Sequence, residues 1–110
     1  MKLTIEIDDD KYLESYLSIV SLGALDCLKK GLIDGYEAMK IIYRPAMIDK
    51  MEELFPNLGN AIHLGTELSD VADIVPEALD KSIEQIRELN FKSIELTDDR
   101  KQHIFYKLEE

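Results

Sequence analysis

The sequence predicts an α+β domain: an N-terminal strand, four or five helices and a C-terminal β-hairpin. Three strands, antiparallel or mixed, are expected to form one sheet packed on the helices. Three observations carry this expectation. Apolar and polar residues alternate at both ends of the chain, from Leu3 to Ile7 and again around Ile94 and Ile104, the two-residue period of a half-buried strand. Between these ends, apolar residues recur at helical spacing and are interrupted by Gly31, Pro45, Pro56 and Pro76. The 110 residues, 45% hydrophobic and 33% charged, suit one domain with one core and no disordered stretch.

In the first strand Leu3, Ile5 and Ile7 share one face and Thr4 and Glu6 the other. Asp8, Asp9 and Asp10 end it and offer a helix N-cap with favourable charge. From about residue 10 to 30, Leu13, Leu17, Val20, Ala24, Cys27 and Leu28 form an apolar stripe, widened by Ile19 and Leu22. The polar stripe of Glu14, Ser18, Ser21 and Lys29 is narrow, so this helix is expected to lie at the centre of the domain. Close approach of a second helix would account for Gly23, which costs about 1 kcal/mol relative to Ala in a helix interior. Gly31 suits the position just past the helix end.

Asp34 followed by Glu37 reads as a capping box for a short helix to Tyr43. Pro45 disfavours helix at Arg44 and suits the first turn of a third helix carrying Met47, Met51, Leu54 and Phe55. Residues 58–75 form one helix or two. Leu58, Ile62, Leu68, Val71 and Val75 fit a helical stripe, Gly59 and Gly65 weaken it, and Thr66 offers a fresh N-cap. Pro76 opens the last helix, with Leu79, Ile83, Ile86 and Leu89 on its core face and Asn90 near its end. Ile94 and Leu96, a turn at Thr97, Asp98 and Asp99, and then Ile104, Tyr106 and Leu108 read as a hairpin. An isolated hairpin is marginal in water, so the first strand is expected to join it as a third.

The net charge is −10 and the isoelectric point about 4.6. Such a chain is repelled by phosphate backbones and anionic membranes, so neither nucleic acid nor a membrane is an expected partner; a basic protein is attracted. Cys27 is the one cysteine, which excludes an internal disulfide and a paired-cysteine metal site. Its place on the apolar stripe predicts a buried, inert thiol. No stretch approaches the ~20 apolar residues of a membrane helix, and the residues from Met1 to Glu6 lack the apolar run of a secretion signal. A cytoplasmic location is the expectation.

No nucleophile-elbow, P-loop or dinucleotide-binding glycine motif occurs, so no enzyme and no cofactor is expected. His63, Glu67 and Asp70 share a helical face at i, i+4 and i+7, but a metal needs three or four ligands and no second ligand pair accompanies them. The segment from Thr66 to Asp80 stands out. It holds five acids and no base: Glu67, Asp70, Asp73, Glu77 and Asp80. That is half of the net charge, at successive spacings of 3, 3, 4 and 3. Like charges so spaced weaken a helix by a few tenths of a kcal/mol per pair. They make either a solvated face or a docking surface for a basic partner.

The stretch from Leu64 through Gly65, Thr66, Glu67, Leu68 and Ser69 to Asp70, followed by Pro76, Leu79, Ser82 and Ile83, resembles a small family of uncharacterised bacterial proteins of this length. The segment from Leu22 to Leu25 and the turn from Gly31 to Glu37 resemble it too. Small acidic proteins of this kind are similar to immunity proteins, which bind and block a toxin inside the producing cell. The resemblance implies a non-catalytic binder of a basic toxin domain and adds no catalytic residue. The alternative is a structural or regulatory adaptor acting as a homo-oligomer.

Overall fold

The computed structural model describes residues 1–95 and 100–110. Strand β1 (Lys2–Ile7) leads into helix α1 (Asp10–Lys29), followed by α2 (Gly35–Ile41), α3 (Ile48–Leu54), α4 (Pro56–Thr66), α5 (Leu68–Ile74), α6 (Leu79–Ser93) and strand β2 (Ile104–Glu109). Single 3₁₀ turns at Pro45–Met47 and Pro76–Ala78 precede α3 and α6.

The helix boundaries follow local chemistry. Asp9 caps α1, its Oδ1 accepting from the Tyr12 N–H at 3.1 Å. Lys30 closes the helix and Gly31 follows at φ 75°, a left-handed conformation that glycine adopts without steric cost. At α2 the capping box is complete: Glu37 N–H donates to Asp34 Oδ1 at 2.9 Å, and Asp34 N–H donates to Glu37 Oε1 at 3.3 Å. Residues 58–75 divide into two helices at Glu67, which caps α5 through its backbone alone. Thr66 does not cap α5; its hydroxyl donates backward to the His63 carbonyl at 2.7 Å.

The core is helical. Leu25 of α1, Ala61 of α4, Leu68 of α5 and Ile83 and Ile86 of α6 enclose Tyr43 at full or nearly full burial. Phe55, Leu58 and Ile62 form a second cluster with Leu13, Leu17, Met47, Ile48 and Met51 around them. Each fully buried Leu or Ile contributes about 1.5–3 kcal/mol. The helix touching most of the others is α4, which packs on α1, α2, α3, α5 and α6, rather than α1 as its apolar stripe predicts. Two glycines let α4 take that place. Gly59 lies against the α3 backbone at Glu52, and the Tyr43 ring lies against Gly65, where a Cβ would overlap it. Gly23 has open space around it, so no helix approaches there.

The face of α1 turned most deeply inward carries Ser15, Ser18 and Ser21 together with Ala24 and Leu25. Ser18 and Ser21 therefore belong to a buried face and not to a polar stripe. Small side chains at three-residue spacing let α1 and α6 run close together, and hydrogen bonds satisfy the hydroxyls. Ser18 Oγ donates to the Glu14 carbonyl at 2.8 Å. Ser21 Oγ lies 2.7 Å from the Tyr43 hydroxyl and accepts from Asn90 Nδ2 at 2.7 Å. Burial pushes the Tyr43 phenol well above its ordinary range, against the opposing pull of the Ser21 hydrogen bond.

The expected three-stranded sheet is corrected by the structure: among the described residues the sheet has two strands, β1 and β2, paired antiparallel. Ile94 and Glu95 do not form the first arm of a hairpin. Helix α6 continues to Ser93, and Glu95 is then held by α1. Its N–H donates to Ser15 Oγ at 3.0 Å, Ser15 Oγ lies 3.3 Å from its carbonyl, and its carboxylate meets Lys11 Nζ at 2.8 Å. These groups are committed to a helix and not to a ladder. Leu96 and the expected turn at Thr97, Asp98 and Asp99 lie outside the described residues. Nor are helices packed over the sheet as expected. Leu3, Ile5, Phe105, Tyr106 and Leu108 are exposed, and the ribbon meets α1 chiefly near Tyr12 and Tyr16. The radius of gyration of 14.6 Å accordingly exceeds the about 13 Å expected of a compact chain this long.

Candidate functional site

The five acids of the Thr66–Asp80 segment are all exposed. Glu67 stands at the junction of α4 and α5, Asp70 and Asp73 on α5, Glu77 in the 3₁₀ turn and Asp80 in the first turn of α6. The bend at Glu67 turns α5 away from α4, and Pro76 breaks α5 from α6. The acids therefore lie along a helix junction, α5, a 3₁₀ turn and the start of α6 rather than on one continuous helical face.

Two of them meet an apolar depression. Glu67, Asp70, Val71, Ile74 and Val75 line a hollow of about 370 Å³. Ile74 is 76% exposed, so its aliphatic surface lies open beside the acids. Glu67 also borders a neighbouring hollow of about 340 Å³ with Asn60, His63, Leu64 and Leu89. Leu64 and Leu89 continue into a third, of about 430 Å³, beside Lys81, Glu84, Gln85, Glu88 and Lys92. The result is a shallow trough over α4, α5 and α6 with an aliphatic floor, acidic at the Glu67 and Asp70 end and of mixed charge at the Lys81 and Lys92 end. A lysine or arginine side chain fits such a surface, its methylenes on Leu64 or Ile74 and its charged head at Glu67 or Asp70. Asp73, Glu77 and Asp80 are not among the residues lining these hollows.

His63 takes part differently from its sequence spacing. Its Nδ1 lies 2.8 Å from Glu52 Oε1 on α3, and its Nε2 lies 3.6 Å from Glu67 Oε1. Asp70 does not join them. Among the described residues no group of three or more His, Cys, Asp and Glu is arranged to hold a metal ion. His103 Nδ1 lies 2.8 Å from Asp8 Oδ1, and its ring sits 4.7 Å from that of Tyr12. Cys27 is half-buried rather than enclosed. Among the described residues, no helix is long and apolar enough to cross a membrane.

A buried polar constellation that the sequence reading passes over is Ser21, Tyr43 and Asn90. All three are completely buried, so they hold helices together and meet no ligand. The signal for them was the repeat of serine at positions 15, 18 and 21 within an otherwise apolar helix.

A search of curated proteins gives no match, and neither does a search of solved structures. The model of one protein family, described as a protein of unknown function (DUF3969), matches residues 8–108, and the chain belongs to that family.

Proposed function

We propose that the protein is a non-catalytic binder, an immunity protein that blocks a basic toxin domain by stoichiometric occlusion with its acidic surface. The observation supporting this reading is the trough at Glu67 and Asp70, where exposed carboxylates border exposed aliphatic surface. Carboxylates alone would be well solvated and indifferent to partners. Beside Ile74 and Val75 they offer a basic partner both charge and area. Asp73, Glu77 and Asp80 extend the negative field and steer a cationic surface toward the trough. The residues proposed to meet the partner are thus Glu67 and Asp70 directly, with Asp73, Glu77 and Asp80 around them. The chain works in the cytoplasm on this reading, where a toxin must be held inactive.

The test is titration calorimetry against the product of an adjacent toxin gene, with circular dichroism confirming the fold of each variant. A one-to-one complex that weakens as salt rises is expected, since exposed charges are screened within about 8 Å at physiological ionic strength. The Glu67→Lys, Asp70→Lys double variant should lose at least about tenfold in affinity, each close interfacial charge pair being worth about 1.5 kcal/mol or more. Unchanged affinity in a folded variant overturns the assignment of this surface.

A further inference from the structure

We infer that the β1–β2 ribbon is a dimerisation element, in which the outer edge of β1 pairs antiparallel with the outer edge of β1 in a second copy of this chain. Among the described residues the ribbon is a sheet of two strands only. Two strands are marginal in water without a third strand or a covering helix. Here Leu3–Leu108, Ile5–Tyr106 and Ile7–Ile104 form cross-strand pairs that put six large apolar side chains on one face. Leu3, Tyr106 and Leu108 are 53%, 61% and 63% exposed.

The occupant is argued from charge. The chain carries a net −10, yet its strands are neutral: Lys2 offsets Glu6 in β1, and Lys107 offsets Glu109 in β2. Two copies of so acidic a chain can approach where their charge is balanced.

The arrangement of charges in β1 is also self-complementary. About a two-fold axis at Thr4, Lys2 of one copy faces Glu6 of the other, and Leu3 faces Ile5, in both directions. The same axis placed at Lys107 of β2 would set like charges opposite each other. Backbone polarity permits the β1 register. Asp8 N–H donates to the His103 carbonyl at 3.1 Å, extending the ladder by one pair. Inward-pointing residues alternate in an antiparallel ladder, so Asp8, Glu6, Thr4 and Lys2 turn their backbone groups toward β2. Ile7, Ile5 and Leu3 point theirs outward, and the Thr4-centred register pairs Leu3 with Ile5 through those groups. Lys2 and Glu6 then occupy non-hydrogen-bonded pairs, where side chains come closest. The edge has no proline and no bulge, and its two charged residues, Lys2 and Glu6, are the ones this register sets opposite each other. The product is a four-stranded sheet of order β2-β1-β1-β2 with one continuous apolar face.

The experiment is analytical ultracentrifugation of the full chain over a wide concentration range. Wild type should dimerise. Lys2→Glu and Glu6→Lys should each weaken the dimer about tenfold, since each turns two attractive cross-strand pairs into repulsive ones. The Lys2→Glu, Glu6→Lys double variant should restore it. A cysteine pair supplies a second readout that does not depend on affinity. With Cys27→Ser as background, Thr4→Cys should form a disulfide dimer on mild oxidation, because residues facing each other in a non-hydrogen-bonded pair have Cα atoms about 4.5 Å apart, within disulfide range. Lys107→Cys should stay monomeric. A wild-type monomer at every concentration overturns the inference and leaves the edge to a foreign strand. A dimer indifferent to both single charge reversals, or cross-linked through residue 107 rather than residue 4, overturns the β1 interface.

Discussion

The helical body and the ribbon treat the same kind of residue in opposite ways. Ile83 and Ile86 on α6 and Ile62 on α4 are sealed from water, whereas Ile5 and its neighbours Leu3, Tyr106 and Leu108 face it. In the body, most polar groups of the interior find partners: Ser21 bonds both Tyr43 and Asn90, and Ser15 holds Glu95. In the ribbon, backbone groups along the outer edge of β1 have no strand beside them among the described residues. Among the described residues the body is therefore closed within one chain, whereas the ribbon is left with an open edge. Composition alone cannot reveal this, because both regions are rich in Ile, Leu and Tyr.

That contrast can be broken by mutation. The largest effect is expected for Ile86→Ala, which should destabilise the body by about 2–5 kcal/mol, the cost of a buried large-to-small change. Ile5→Ala on the ribbon should cost the monomer less than about 1 kcal/mol, since its side chain is already partly hydrated. Denaturant melts of both variants, at a concentration where the chain is monomeric, make the comparison. Equal losses would mean that the ribbon is part of the core.

A smaller effect is expected for Ser21→Ala, about 1–3 kcal/mol, because it removes the acceptor of a buried donor. Asn90 Oδ1 has no hydrogen-bond partner among the described residues, so losing Ser21 Oγ would leave the whole amide unsatisfied. A thermal melt unchanged in this variant would show that the α1–α6 contact rests on small size alone and not on hydrogen bonding.

The legibility of the fold in the sequence varies with what the signal depends on. Caps depend on neighbours three residues away, and the Asp9, Asp34–Glu37 and Gly31 boundaries were all readable. Helix packing depends on residues far apart. Gly59 and Gly65 read as weak points within residues 58–75, whereas they let α3 and Tyr43 press against α4. Gly23, expected to mark a close contact, marks none. The alternation around Ile94 suggested a strand, but Ser15 and Lys11 on α1 capture Glu95 before a ladder can begin.

The candidate site divides in the same way. That Glu67, Asp70, Asp73, Glu77 and Asp80 form an acidic segment without a base is a property of sequence. That only Glu67 and Asp70 border the trough depends on the bend between α4 and α5. Val75, placed on the core stripe from its spacing, is exposed beside Ile74 for the same reason, because the stripe assumes a straight helix.

The most direct measurement on the contrast between the two regions is amide hydrogen exchange followed as protein concentration rises. Amides within α1 and α6 should be protected to the same degree at every concentration, as expected of elements that open only with the whole body. The outward-pointing amides of Leu3, Ile5 and Ile7 should exchange quickly in dilute solution and become protected as concentration increases, while those of Ile104, Tyr106 and Leu108 on the outer edge of β2 change far less. Outward β1 amides that exchange at one rate in dilute and concentrated protein would contradict the claim that the ribbon is completed by a second copy.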